Sequence, residues 1–333
     1  MAEASISNPL YYVSILAEKG TIKYDISKVI ESLKISDSEG ELATMVSFSF
    51  MNTEVNGKWL NSLFSVGDVV QVQADNGGGK KTVGTFTIWD KDDESSTKKV
   101  LSVTAYDSKL IYLQKSEDVQ FFEKGKSTKS IITDICTAWG VTLQYSYDSI
   151  NHELKQWRGD KLSEMIIELL EEVRKKTGKK YVMNSVNNQL SISHWGTNTT
   201  VYEFAAKKNV IATSSNITLE GLVTKVKIYS HSDEGVRQKL EATVTGDTSY
   251  GTLQRIITRS DNTTLTESKK EANQLIKDDG KPVEKFVLTA VDIPWMKKGD
   301  KIKVSAGDMA GDFYILSISH DCSSKTMSME VEK

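Results

Sequence analysis

Two stretches of this 333-residue chain spell the same hairpin in the same order. Gly67-Asp68-Val69-Val70-Gln71-Val72 is matched by Gly299-Asp300-Lys301-Ile302-Lys303-Val304, each a Gly-Asp turn opening a strand. Downstream, Gly84-Thr85-Phe86-Thr87-Ile88 is matched by Gly311-Asp312-Phe313-Tyr314-Ile315. Val72 and Gly84 are twelve positions apart, whereas Val304 and Gly311 are seven apart. The surplus lies in Asp75-Asn76-Gly77-Gly78-Gly79, a hairpin tip where added length costs little. Each copy then passes a polar Ser-Ser turn (Ser95-Ser96, Ser323-Ser324) into a closing strand, Val100 to Val103 or Met327 to Val331. Upstream, Leu42 to Ser49 pairs with Leu222 to Tyr229, both alternating with period 2 as half-buried strands do. One such match would reflect shared turn grammar; matches in the same order imply a duplicated β unit.

The segment between the copies has a different character. Ser127 to Trp139 reads as a helix capped by Ser127 and ended by Gly140. From Asp160 to Thr177, Leu162, Met165, Ile166, Leu169, Leu170 and Val173 fall on one helical face, with Asp160 as the expected cap and Gly178 as the stop. A hairpin follows, Tyr181 to Met183 and Leu190 to Ser193, turning at Asn187-Asn188. A second helix is expected from about Thr266 to Lys277, after a polar loop from Ser230 to Gly235 and an extended stretch near Leu253 to Ile257. The expected fold is therefore α+β, mainly β, in three parts. These are a first antiparallel β-barrel or sandwich domain (1–120), an α+β insert (121–205), and a second β domain (206–333) carrying a helical insertion at about 230–297.

Composition narrows the function. With 38% hydrophobic and 26% charged residues, the chain is globular rather than disordered. A net charge of −3 with scattered Lys and Arg gives no basic stripe, so no direct nucleic-acid partner is expected. No apolar run reaches the ~20 residues of a membrane span, so no membrane insertion is expected. Met1 to Ser5 has no signal-peptide character, and Cys136 and Cys322 are too few for a disulfide framework; both fit a cytoplasmic origin.

Candidate chemistry is weak throughout. His152, His194, His231 and His320 lack metal-ligand spacing, and the nearness of His320 to Cys322 fits packing better than catalysis. Gly77-Gly78-Gly79-Lys80-Lys81-Thr82 departs from phosphate-loop spacing and precedes a strand rather than a helix. Asp90, Asp92, Asp93 and Glu94 lack a calcium-loop pattern. Arg158-Gly159-Asp160 spells an adhesion tripeptide that helix capping explains, and Glu171-Glu172 lie on a solvated helix face. No catalytic residue, metal ligand or cofactor is assigned, and the chain reads as non-enzymatic.

A further set of residues points to a family. Leu63-Phe64-Ser65-Val66-Gly67-Asp68 with Gly84-Thr85-Phe86, Val103 to Leu110 with Tyr112-Leu113, Ser130 to Cys136, Tyr250 to Gln254, and Gly311 through His320 together resemble the XkdQ/YqbQ-type tail proteins. Those occur in Bacillus-like phages, defective prophages and phage-tail-like bacteriocins, and resemble baseplate hubs of contractile tails. The resemblance implies tail-tube-like β domains in a homotrimer of pseudo-sixfold symmetry. Such a trimer would join the hexameric tail tube protein to the trimeric central spike protein, with other baseplate or wedge proteins and a tape-measure protein as further partners. It also implies assembly in a bacterial host and release by lysis. Gly67, Asp68, Gly84, Phe86, Gly299, Asp300, Gly311 and Phe313 would belong to the ring-forming hairpins, and the insert would face neighbouring baseplate proteins.

Two other classes compete. A tail-associated peptidoglycan hydrolase needs a further domain, and the chain ends at Lys333 directly after the second copy. A receptor- or carbohydrate-binding module predicts exposed aromatic platforms, whereas the tryptophans at 59, 89, 139, 157, 195 and 295 are dispersed.

Overall fold

The computed structural model describes residues 8–92, 99–186, 188–232, 236–260 and 263–333. The Ser95-Ser96 turn, Asp93, Glu94, Asn187, the end of the Ser230 to Gly235 loop and the N-terminal Met1 to Ser5 lie outside the described residues.

The strands of the first copy are β1 (Leu10–Ala17), β2 (Ile22–Asp25), β3 (Ile30–Asp37), β4 (Met45–Met51), β5 (Glu54–Val55), β6 (Lys58–Trp59), β7 (Val69–Asp75), β8 (Lys81–Lys91) and β9 (Val100–Asp107). The middle segment adds α1 (Leu110–Lys115), β10 (Glu117–Phe122), α2 (Thr128–Ala138), β11 (Leu143–Ser146), β12 (Lys155–Lys161), α3 (Leu162–Thr177), β13 (Tyr181–Val186) and β14 (Gln189–His194). The remainder is β15 (Tyr202–Ala205), β16 (Val210–Thr218), β17 (Lys225–Ser230), β18 (Leu240–Thr245), β19 (Gln254–Arg259), α4 (Leu265–Asp279), β20 (Val283–Val291), β21 (Lys301–Ala306), β22 (Met309–Asp321) and β23 (Thr326–Glu332).

The fold is mainly β, as expected. Among the described residues, thirteen strands form one sheet with the path β16-β20-β23-β22-β3-β4-β9-β8-β7-β1-β2, and β21 and β15 attached beside β22. Apolar side chains of β1, β3, β4, β7, β8 and β9 alternate inward and bury Val13, Ile15, Leu33, Phe48, Phe50, Val70, Phe86 and Ile88 in one core. Each such side chain contributes roughly 1.5–3 kcal/mol of burial.

The middle segment has its own core. On α3 the six expected residues are fully buried, and Gly178 ends the helix in the left-handed conformation at φ 71°. Ser127 caps α2 by accepting a hydrogen bond from the Ser130 amide. The cap expected at Asp160 is not there: Asp160 belongs to β12, its Oδ2 accepts from the Arg158 amide at 3.0 Å, and Lys161 occupies the N-cap position.

The chain forms two compact units, residues 215–286 and the rest. Within the smaller unit α4 packs on the three-stranded sheet β18-β17-β19 around Val226, Ile228 and Ala272. Thr264 and Glu267 form a capping box at the start of α4. This arrangement corrects one expectation. Leu222 to Tyr229, matched in sequence to the region of β4, leads into β17 (Lys225–Ser230) of the smaller unit instead. The strand beside β23, as β4 is beside β9, is β20. Period-2 alternation is shared by any half-buried strand, so it could not tell the two apart.

Candidate functional site

The turns that open the two Gly-Asp hairpins repeat the same backbone hydrogen bonds to the strand opposite. In the first, the Gly67 amide donates to Ile88 O (2.8 Å), the Ile88 amide to Asp68 O (2.8 Å), and the Asp68 amide to Ser65 O (3.2 Å). In the second, Gly299 donates to Ile315 O (2.6 Å), Ile315 to Asp300 O (3.0 Å), and Asp300 to Lys297 O (3.3 Å). Each Asp carboxylate closes its own turn, Asp68 Oδ2 accepting from the Ser65 amide at 2.8 Å and Asp300 Oδ2 from the Lys297 amide at 3.0 Å. Register agrees as well: Val70 faces Phe86 and Val72 faces Gly84, as Ile302 faces Phe313 and Val304 faces Gly311. Both long strands bulge one step later, at Trp89 between Ile88 and Asp90 and at Leu316 between Ile315 and Ser317.

The candidate residues therefore sort into two sets of four. Phe86 and Phe313 are buried and hold the hairpins together from inside, so any contact with another protein would use the strand edges and turns around them. Gly67 and Gly299 both have positive φ (89° and 80°), which a residue with a Cβ adopts only under strain. Their surroundings differ: nothing approaches a Cβ position at Gly67, whereas Val182 lies 2.6 Å from that position at Gly299.

Inside one chain the copies meet edge to edge. The end of β22 pairs antiparallel with β3, Ile318 facing Asp37 and Asp321 facing Lys34. Buried polar contacts cross the same joint. Lys298 Nζ lies 2.9 Å from Asp37 Oδ1 and donates to the carbonyls of Ser38 and Glu41. His320 Nδ1 is 2.6 Å from Asp292 Oδ1, its Nε2 is 3.2 Å from Met296 O, and Tyr11 OH donates to Asp292 Oδ2. With acceptors at both ring nitrogens, His320 ties β22 to the loop after β20. The β13–β14 hairpin also touches both copies: Asn188 Nδ2 donates to Thr85 Oγ1 (2.8 Å) and Asn184 Nδ2 to Lys298 O (3.1 Å). A cleft of about 440 Å³ remains where these parts meet, lined among others by Asp37, Phe86, Asp107, Ser185, Trp295 and His320.

The chemistry of these groups is that of a joint. Burial pushes the Cys136 thiol up to about 12, and burial together with the charge of Asp292 moves the Cys322 thiol in the same direction, away from nucleophilic thiolates. His152 is bound by Thr128 Oγ1 and Glu172 Oε2, both at 2.7 Å. Burial alone would raise the Glu172 carboxyl, but hydrogen bonds from His152 and Lys155 hold it at about 2. Gly77 to Gly79 form the β7–β8 tip, where Asp75 Oδ1 accepts from the amides of Gly77 (2.8 Å) and Gly79 (3.0 Å). Among the described residues no group of three or more His, Cys, Asp or Glu could hold a metal, and no helix is long and apolar enough to cross a membrane.

Asp300 gives one testable consequence. Burial raises its carboxyl to about 6 from the ordinary 3.8; the amide and charge of Lys297 oppose this, and the charge of Asp37 adds to it. A carboxyl raised on folding costs stability when ionised, so the cost is absent below about pH 3.8 and complete above about 6. Asp300→Asn removes the titration and keeps an oxygen for the Lys297 amide. Its stability relative to the parent should rise by about 1–3 kcal/mol between pH 4 and pH 7. Thermal unfolding at the two pH values measures this, and a pH-independent difference would refute it.

Comparison with known proteins places this geometry. A YQBQ-like family model matches residues 33–332. The chain belongs to the YqbQ-like family. It is 23% identical over 238 residues to the uncharacterized protein YqbQ of Bacillus subtilis (strain 168), covering 70% of this chain and 72% of that one. Among solved structures it is similar to the 43 kDa tail protein of prophage MuSo2 from Shewanella oneidensis, with TM-score 0.69, 15% identity and 98% of each chain covered. The tail protein from Neisseria meningitidis MC58 gives TM-score 0.67 and 13% identity, covering 96% of this chain and 95% of that one. The E. coli c3393 protein gives TM-score 0.53 and 8% identity, covering 91% and 73%. That protein is described as a type VI secretion component with structural similarity to the T4 tail proteins gp27 and gp5. The chain thus shares the fold of phage tail proteins.

Proposed function

We propose that the chain is a structural hub of a phage-type tail baseplate, in a contractile phage or a tail-like bacteriocin. In this reading it is a homotrimer that joins a hexameric tail tube to a trimeric central spike. The observation that carries the reading is that the two hairpins repeat the same turn bonds and the same register as far as Val72 and Val304, with the copies joined edge to edge by β22 and β3. Three chains carrying two such copies present the same edge six times around an axis, while whatever differs between the copies recurs only three times. The copies do differ: β3 and β4 follow each other directly, whereas β17, β18, β19 and α4 stand between β16 and β20 in the chain.

In this reading residues 1–120 and 206–333 build the ring, and 121–205 faces wedge or other baseplate proteins. The tape-measure protein is a further partner on the tube side. The role is structural, with assembly in the bacterial host and release of the particle by lysis. Family membership and the fold shared with tail proteins support it. The test is native mass spectrometry of the chain mixed with the tube and spike proteins of its own particle. Complexes holding three copies of the 37.1 kDa chain are expected. Monomers or dimers in every mixture would refute the hub.

A further inference from the structure

The β10–β12 ribbon of the middle segment has one face packed and one face bare. Its register sets Val119 against Arg158, Gln120 against Trp157, Phe121 against Gln156 and Phe122 against Lys155. Phe122 and Trp157 are buried, ring against ring at 6.3 Å and 72°. Trp157 Nε1 donates to Glu168 Oε2 of α3 (2.7 Å), and Lys155 Nζ donates to Glu168 Oε1 (2.6 Å). The inner face is thereby pinned to α3, and the outer face is presented on a fixed support.

The outer face carries Val119 and Phe121, 67% and 56% exposed, with Arg158 and Gln156 opposite them. Leu154, just before β12, is also 53% exposed. Side chains opposed across an antiparallel pair stand about 5 Å apart, so Val119, Phe121, Gln156 and Arg158 form one patch. Contiguous exposed apolar groups rimmed by polar ones mark interaction sites, whereas a single one needs no explanation. Among the described residues β10 and β12 pair only with each other, so the face is roughly 10 Å across. That width suits one helix or one extended segment.

Arg158 specifies what such a segment carries. The lysines of the ribbon and its flanks each meet a carboxylate: Lys124 with Glu153 (2.9 Å), Lys126 with Asp134 (2.8 Å), Lys155 with Glu168 and Lys161 with Glu164 (3.3 Å). Among the described residues the Arg158 side chain meets none. Its guanidinium is braced instead by the neutral Gln156 amide, whose oxygen, turned toward it, accepts from Nε (3.1 Å) and Nη2 (2.9 Å). Further N–H donors remain, in the planar fork that grips a carboxylate with two bonds. The backbone beneath is fixed as well. Gly159 is the extra residue of a bulge, at φ 87°, and the Arg158 amide closes onto Asp160 Oδ2 (3.0 Å).

We propose that the outer face of β10–β12 binds one linear segment of another tail protein, with an Asp or Glu on Arg158 and apolar side chains on Val119 and Phe121. That the partner is a tail protein rests on the reading above; the chemistry of the segment rests on the ribbon alone.

The probe is a set of overlapping peptides covering the other tail proteins of the same particle and this chain itself. Peptides that bind the full chain should hold Asp or Glu beside apolar residues. Arg158→Glu should weaken them about ten- to hundredfold, and exchanging the peptide's Asp or Glu for Lys should restore binding to that variant. Val119→Ser with Phe121→Ser should weaken the same peptides; both residues are exposed, so the fold is expected to persist. Lys23→Glu, on β2, makes the same change in net charge and should bind as the parent does.

The proposal is overturned if no peptide binds, if Arg158→Glu binds equally well, or if Lys23→Glu loses as much. It is also overturned if every binder comes from this chain, which would make the face a contact between copies. Native masses with tube and spike proteins keep the two readings apart. Three-copy complexes with no bound peptide refute the ribbon partner and leave the hub standing; bound peptides without any such complex do the reverse.

Discussion

Gly299→Ala is expected to destabilise the protein by about 2–5 kcal/mol, and Gly67→Ala by about 1–2 kcal/mol, although the two turns repeat the same bonds to Ile88 and Ile315. Both substitutions force a Cβ into left-handed backbone, at φ 80° and 89°, and that strain is common to the pair. The difference comes from the neighbours. A Cβ on Gly299 would sit 2.6–2.8 Å from three carbons of Val182, a buried residue of β13, which is paired with β14, so the middle segment would have to move. At Gly67 the space is open. Denaturant midpoints at unchanged slope measure the contrast. Equal losses at the two glycines would show that Val182 is not a rigid neighbour.

Lys298→Ala is expected to cost about 3–5 kcal/mol, because it removes one partner of a buried ion pair and strands the other. The side chains of Lys298 and Asp37 are only 5% and 10% exposed. The ammonium also donates to the carbonyls of Ser38 and Glu41, so a single side chain from the second copy ties down the β3–β4 connection of the first. Replacing both charges, Asp37→Asn with Lys298→Met, should recover a substantial part of the loss, since no uncompensated charge then remains. A double-mutant cycle in denaturant gives the coupling. A coupling near zero would mean that the carbonyl contacts, rather than the ion pair, hold the joint.

Much of this architecture was legible in the chain. The Gly-Asp turns carry their own signal, because positive φ demands Gly and the carboxylate that closes the turn demands Asp. The matched spacing from Gly84 to Ile88 and from Gly311 to Ile315 reappears as the shared register of Val70 with Phe86 and of Ile302 with Phe313. The apolar face of α3 was equally plain.

Strand partnership was less legible. Val226 and Ile228 alternate as well as Phe286, Leu288 and Ala290 do, and nothing local says that the latter set is the equivalent of β4. Asp160 has the chemistry of a cap, but its backbone continues β12. The polar contacts across the joint were invisible for a different reason. Tyr11 and Asp292 are 281 residues apart, and a single sequence carries no mark of such pairing. In the sequence His320 stands beside Cys322, whereas its ring partner, Asp292, arrives from the loop after β20.

The central claim is that two equivalent copies per chain build a ring of six. The most direct measurement is the class-averaged projection of the purified chain mixed with the spike protein of its own particle, viewed down the axis. Six near-equal inner lobes with threefold differences at the periphery are the predicted result. A twofold particle, or three lobes with no inner sixfold repeat, would contradict it.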